Sequence, residues 1–313
     1  MTPLEHTFLR LYPTLYLHFE WLIPHARLNS LKHKTILNYL ERNYRPLINK
    51  YKLLTPTNNT PIPPNAPLWV MWLQGEQTMP PIVKACYNNL KKHAGQHPIT
   101  LLTLDNLMNY LKTSPLWNNE IDTLIKQKDL THLSDIVRCI ILHEHGGIWV
   151  DATLWLNQPI DTITHNLTYI TARRTNIHDN NFSATQGKWK SYFIGCNKGN
   201  PLPAFIAELM TQCHIKEHKI IDYLLVDYAF MTAYNNFPYV KKLTQAITPL
   251  PDTNNGDQYE LLNRKLLNQP FSQTTFNQIT QHTPFQKMSY KSIHLTTTPN
   301  GQPTYYAHLI STL

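Results

Sequence analysis

Three observations predict an α/β fold, in which helices flank an open, mostly parallel sheet behind an N-terminal helical extension. Residues 68 to 104 alternate strand, helix and strand patterns. Residues 133 to 156 hold a helical pattern that ends in two glycines and passes into period-two alternation. Residues 1 to 54 carry helical patterning set off by a proline- and asparagine-rich stretch.

Residues 4 to 23 are rich in Leu, Phe, Tyr and Trp but are interrupted by Glu5, Arg10, Pro13, His18 and Glu20. Such a segment either caps the fold or lies at a membrane surface, and packing is favoured. Residues 29 to 53 place Leu31, Ile36, Leu37, Leu40, Leu47 and Ile48 between Lys32, Lys34, Arg42 and Arg45, which predicts a basic amphipathic helix. TPTNNTPIPPNAP, residues 55 to 67, predicts a linker, and residues 68 to 313 the main domain, with halves at 68 to 160 and 161 to 313.

LWVMWLQ (68 to 74) predicts a buried strand ending before Gly75. Pro80 and Pro81 open a helix with Ile82, Val83, Cys86 and Leu90 on one face, and ITLLTL (99 to 104) predicts a second strand. A unit of this kind crosses over right-handedly, and open α/β sheets bind ligands beyond the carboxyl ends of their strands. Those ends are Gln74-Gly75 and Asp105-Asn106.

Leu133, Ile136, Val137, Ile140 and Ile141 share a helix face, while Asp135 and Arg138, three apart, are surface neighbours able to pair. Gly146 suits the left-handed residue that ends a helix, and Gly147 leaves room for close backbone approach. Alternation from Ile148 to Leu156 predicts one strand with Asp151 and Thr153 on a common face, and Trp69 and Trp149 are assigned to the core. Farther on, 166 to 174 predicts a strand, 191 to 201 a strand passing into a loop, and 203 to 213 and 220 to 230 predict helices. Asp222 and Asp227 are polar candidates on an acceptor side.

With 42% hydrophobic and 11% aromatic residues the chain can fold throughout, and its formal charge of +8 favours anionic ligands. Cys86, Cys139, Cys196 and Cys213 lack metal or redox spacing, so buried thiols are expected. The first residues lack a leader pattern and no apolar run approaches the ~20 residues of a spanning helix, which predicts a cytoplasmic protein. No P-loop, dinucleotide-binding, nucleophile-elbow or nucleic-acid-binding motif occurs, so nucleic acid is not an expected partner. His214 to His218 matches the inverted zinc-peptidase pattern H-x-x-E-H, but among 16 histidines a chance match is expected. His143-Glu144-His145 fits a basic helix end better than a metal cluster.

The pattern S-D-x-x-R, about ten residues, then G-G-I-W-x-D-A-T resembles the capsular polysaccharide synthesis proteins. More distantly it is similar to retaining glycosyltransferases that include yeast-type mannosyltransferases and clostridial glucosylating toxins. The resemblance implies a GT-A-like, Rossmann-like nucleotide-binding sheet and transfer of a sugar from a nucleotide donor, expected to be a UDP-sugar, to a capsular or other surface glycan with retention of configuration. It also implies that Asp135 and Arg138 bind hydroxyls of the donor sugar, and that Asp151 and the following acidic position hold a divalent ion, Mn or Mg. That second position is Thr153 in this chain. Trp72 corresponds to an aromatic that stacks on uracil, and Asn106 to an asparagine that touches the nucleoside. Related transferases close a loop over the phosphates near the C-terminus, where Lys287 and Lys291 lie. With one carboxylate missing, Lys287 or Lys291 is expected to contact the diphosphate, and activity to survive chelation better than in enzymes with Asp-x-Asp. A peripheral contact with the inner face of a membrane fits such a partner. The alternative is a non-catalytic, anion-binding scaffold or degenerate transferase.

Overall fold

The computed structural model describes residues 2–18, 23–126, 130–174, 183–217, 221–248 and 258–311. Helix α1 (Pro3–His18) buries none of its residues and leaves Leu4, Leu11 and Leu17 exposed. It is tied down by the Glu5–Arg42 ion pair at 2.9 Å and by Lys32 over the Tyr12 ring. No helix among the described residues is long and apolar enough to cross a membrane.

The basic amphipathic segment forms two helices rather than the single one expected, α2 (His25–Asn43) and α3 (Arg45–Lys52). Pro46 has no N–H to continue the ladder of α2, so the chain restarts at Tyr44, which ends one helix and begins the next. Residues 55 to 67 are not a free linker. Ile62 and Ala66 are buried, Ile62 N donates to Leu167 O at 2.8 Å, and Asn197 Nδ2 donates to Thr60 O at 2.8 Å.

Strand β1 (Leu68–Met71), helix α4 (Pro81–His93) and strand β2 (Ile99–Leu102) make the anticipated β-α-β unit, with the two strands parallel. The chain then runs through α5 (Leu107–Leu111), α6 (Asn119–Lys126) and α7 (Leu130–His145) into β3 (Gly147–Val150), which lies parallel to β1 on its other side. Gly146 and Gly147 have φ of 67° and 95°. A Cβ on Gly147 would lie 2.4 Å from Pro67 O, and one on Gly146 would lie 2.5 Å from Lys198 N, so glycine is required sterically at both.

The single strand expected from 148 to 156 is broken. Asp151 N donates to Tyr192 O, Leu154 N turns back onto Asp151 O, and the chain leaves the sheet to form β4 (Leu154–Leu156) in a second one. Period-two alternation runs unbroken through this turn, which is why the pattern concealed it. After α8 (Ile160–Thr164), β5 (Tyr169–Thr171) and β6 (Phe193–Cys196) complete the main sheet in the order β2-β1-β3-β6-β5, with β6 antiparallel to both neighbours. The two expected halves therefore share one sheet.

Helix α9 (Pro201–Glu217) is longer than its apolar pattern, while α10 (Leu225–Asn236) starts later than expected. Asp222 Oδ1 accepts from Leu224 N in a turn before α10, and residue 220 lies outside the described residues. Helices α11 (Pro238–Ala246) and α12 (Gln273–His282) follow, then β7 (Phe285–Lys287), antiparallel to β4, and α13 (Tyr305–Ile310).

Alternate residues divide the core. Trp69 and Trp149 face α7, α9, α10 and the N-terminal helices, whereas Leu68, Val70, Ile148 and Val150 face α4, β4 and α13. The sheet is thus covered on both faces, as its parallel strands β2, β1 and β3 require. Cys86, Cys139, Cys196 and Cys213 are buried thiols within these layers.

Candidate active site

A cleft of about 560 Å³ opens beyond the carboxyl ends of β1 and β3. The chain passes from β1 to β2 on one side and returns to β3 on the other, so this is the switch point where open α/β sheets hold their ligands. Residues 71 to 74 form one wall, the first turns of α7 and α10 another, and residues 151 to 153 with 287 to 291 the floor and rim.

Helix α7 brings Asp135 and Arg138 onto its cleft side, and Arg138 Nη1 donates to Asp135 Oδ1 at 2.6 Å. Nη2 reaches Asp151 Oδ1 at 3.1 Å, so the guanidinium joins the helix to the end of β3. Trp149 Nε1 donates to the same Oδ1 at 2.8 Å, and Arg138 lies over the Trp149 ring. On the other oxygen, Lys287 Nζ donates to Asp151 Oδ2 at 2.8 Å and also to Thr153 Oγ1. Asp151 is thereby held by two cations and an indole. Burial would raise its carboxyl, but Lys287 and Arg138 outweigh burial and hold it well below the usual carboxylate range. Asp135 behaves oppositely: burial raises its carboxyl in spite of Arg138.

Lys287 owes its position to the second sheet. Its Cα is opposite Leu154 in the β4–β7 register, and Met288 N donates to Thr153 O at 2.8 Å. Beside it, buried Gln286 accepts from Leu262 N and donates to Thr283 Oγ1, while the ammonium rests over the Tyr192 ring.

Trp72 is only partly buried, lines the cleft, and meets Tyr290 edge-on at 5.3 Å between ring centroids. Gln74 and Lys291 also line the cleft. Asn106 is not among the described residues lining the cleft. Its Oδ1 accepts from Thr103 N and its Nδ2 donates to Leu101 O, so both ends of the amide close the turn after β2. Asp222 pairs with Lys32 at 3.1 Å, whereas Asp227 faces the cleft from the first turn of α10. Burial pushes the Asp227 carboxyl up to about 7, with Asp135 and Asp222 raising it and Lys190 and Arg138 opposing.

Two residues escaped the reading of the sequence. Trp149 is in the core as expected, yet its indole also binds Asp151 and lines the cleft. Tyr290 had a signal, an aromatic between Lys287 and Lys291, but nothing in the chain showed that it meets Trp72.

Asp151 and Thr153 fit a resident divalent ion poorly. Hard cations favour several oxygen ligands with carboxylate charge, and here one carboxylate and one hydroxyl already bind an ammonium. Among the described residues no three His, Cys, Asp or Glu side chains gather in a way suited to a metal. In the H-x-x-E-H segment, Glu217 accepts from Tyr39 Oη, His214 packs edge-on against His132, and His218 lies outside the described residues. His143, Glu144 and His145 engage Asn200 O, Ser114 Oγ and Tyr110 O separately.

The family model for capsular polysaccharide synthesis proteins matches residues 23–309, which include every cleft residue described above. The chain belongs to that family. No curated protein matches the sequence. Among solved structures, the chain is similar to one titled "PaToxG Glycosyltransferase", with 14% identity, a TM-score of 0.42, and coverage of 70% of this chain and 83% of that one.

Proposed function

We propose that this member of the family is a glycosyltransferase that moves a sugar from a nucleotide donor, read as a UDP-sugar, to a capsular or other surface glycan. The observation that carries the reading is the cluster of Asp135, Arg138, Asp151 and Lys287 at the switch point, with the partly buried Trp72 at one end. Transfer breaks the bond between the anomeric carbon and the diphosphate and forms one to the acceptor oxygen, which loses its proton. Positive charge develops on the sugar ring and negative charge on the leaving diphosphate, so the site must supply fixed groups of both kinds.

In this reading Trp72, with Gln74 beside it, takes the base, and Asp135 and Arg138 take sugar hydroxyls. Lys287 and Lys291 face the diphosphate. Asp227 takes the acceptor side, since a carboxyl that titrates near neutrality suits proton exchange with a hydroxyl. Retention of configuration is carried over from the resemblance as part of the proposal.

A panel of nucleotide sugars tested by thermal shift and by release of free sugar examines this directly, because a ligand that binds only the native state raises its apparent stability. A UDP-sugar that both stabilises the protein and is slowly hydrolysed is expected. Stabilisation by nucleotides with no turnover of any donor would favour the anion-binding scaffold instead.

A further inference from the structure

The second sheet places one ammonium on both positions of the D-A-T motif. Lys287 Nζ donates to Asp151 Oδ2 at 2.8 Å and to Thr153 Oγ1, and it lies over Tyr192. Its side chain is only 21% exposed, and its strand is locked by Met288 N on Thr153 O and by the buried amide of Gln286. This is not a solvated basic turn that visits the cleft. A divalent ion bound to Asp151 would have to expel Lys287 or share the carboxylate with it, while Arg138 already holds the other oxygen. With Thr153 in place of a second carboxylate, the two residues lack the anionic charge that such an ion needs.

We infer that Lys287 is a built-in cation occupying the position a divalent ion would otherwise take between Asp151, Thr153 and the phosphates of the donor. The site then binds a diphosphate without metal. This rests on reading the cleft as a nucleotide-sugar site, but its chemistry requires only a diphosphate. Asp151 in this arrangement orients the ammonium instead of ligating a metal, and Thr153 fits because a hydroxyl accepts one hydrogen bond without adding charge. The lysine can turn its remaining N–H toward a phosphate oxygen, since an ammonium has three donors and two are used here.

Calorimetric titration of the metal-stripped protein with inorganic pyrophosphate and with UDP, in EDTA and in excess Mn²⁺, tests the inference. Pyrophosphate probes the cation without the base. Its affinity is expected to change less than about threefold between the two conditions and to fall at least tenfold in Lys287→Met, which keeps the apolar stem. Lys287→Arg should retain most of the binding, which separates loss of charge from loss of fold. The double variant Thr153→Asp with Lys287→Ala should gain Mn²⁺ affinity that the wild type lacks, followed by manganese resonance. Pyrophosphate binding that requires Mn²⁺, that is absent in both conditions, or that is unchanged in Lys287→Met overturns the inference. If pyrophosphate binds in EDTA through Lys287 but UDP binds no better, the inference stands and the nucleotide reading fails.

Discussion

Arg138 shows how a site residue also supports the fold. Its guanidinium is buried between Asp135 and Asp151, so Arg138→Ala would leave the buried Asp135 without its ion-pair partner and Asp151 with Lys287 alone as a cation. Breaking a buried pair typically costs about 3–5 kcal/mol, and a large fall in the thermal midpoint is expected alongside lost transfer. Asp151→Asn is the cleaner variant, because it keeps the shape of a side chain that is 23% exposed. Transfer should drop roughly a hundredfold in a folded protein, and near-normal turnover would remove Asp151 from the site. Trp72→Leu should leave the midpoint nearly unchanged and weaken UDP by about tenfold or more in calorimetry, since base stacking contributes ~1–3 kcal/mol. For Asp227 the sign is set by a folded carboxyl raised to about 7 from its ordinary 3.8. The folded chain holds the proton more tightly than the unfolded one, so the stabilisation is complete below the ordinary value and is lost as pH rises through 7. Asp227→Asn should therefore raise the midpoint by about 3 °C or more at pH ~8 and by much less at pH ~4. An equal effect at both values would mean that Asp227 titrates normally. Asp135, Arg138 and Asp151 were legible because they fall within twenty residues of helix, turn and strand pattern. Lys287 was named only as one of two lysines, because its partner lies 136 positions away and no local pattern encodes that distance.

At the scale of elements, the turn at Gly146-Gly147 and the break after β3 decide where the site forms. The first was readable, since two glycines after a periodic helix have a steric reason. The second was not, because the alternation through 148 to 156 continues across a change of sheet. Sheet pairing depends on partners distant in sequence, and Phe285–Lys287 is too short to show a period of its own. Gly147→Ala tests the turn. The added Cβ would meet Pro67 O at 2.4 Å with φ at 95°, and both faults lie at the start of the strand that carries Asp151. A backbone position of this kind costs about 1–3 kcal/mol for a non-glycine residue, so a midpoint several degrees lower is expected, with nucleotide affinity reduced as well. An unchanged midpoint would mean that the β1–β3 junction has slack the packing does not suggest.

For the molecule as a whole, the boundary near residue 55 separates segments by composition but not by packing. Ile36, Tyr39, Leu40, Leu47, Ile48 and Tyr51, from α2 and α3, belong to the same buried cluster as α7, α9 and α10. Polar contacts reinforce the junction: His33 Nδ1 meets Tyr228 Oη at 2.8 Å, Lys32 pairs with Asp222, and Lys50 pairs with Glu208 at 2.7 Å. The Lys32 contact reaches the turn that leads into α10 and hence to Asp227, so the N-terminal helices support the α10 wall of the cleft. Helix α1 differs, because it buries no residue and is held to α2 by the surface Glu5–Arg42 pair and by partly buried contacts of Tyr12 with Lys32 and Asn29. Two truncations separate these roles. Removal of residues 1 to 23 should leave a soluble protein whose midpoint falls by only a few degrees. Removal of residues 1 to 54 would bare the apolar faces of α9 and α10, including Phe205, which packs edge-on against Tyr51 of α3, and should yield aggregated protein without a cooperative unfolding transition. Soluble yield and near-ultraviolet circular dichroism read the outcome. A folded product from the longer deletion would show that α9 and α10 close over their own core, and that the helical extension is a separate module after all.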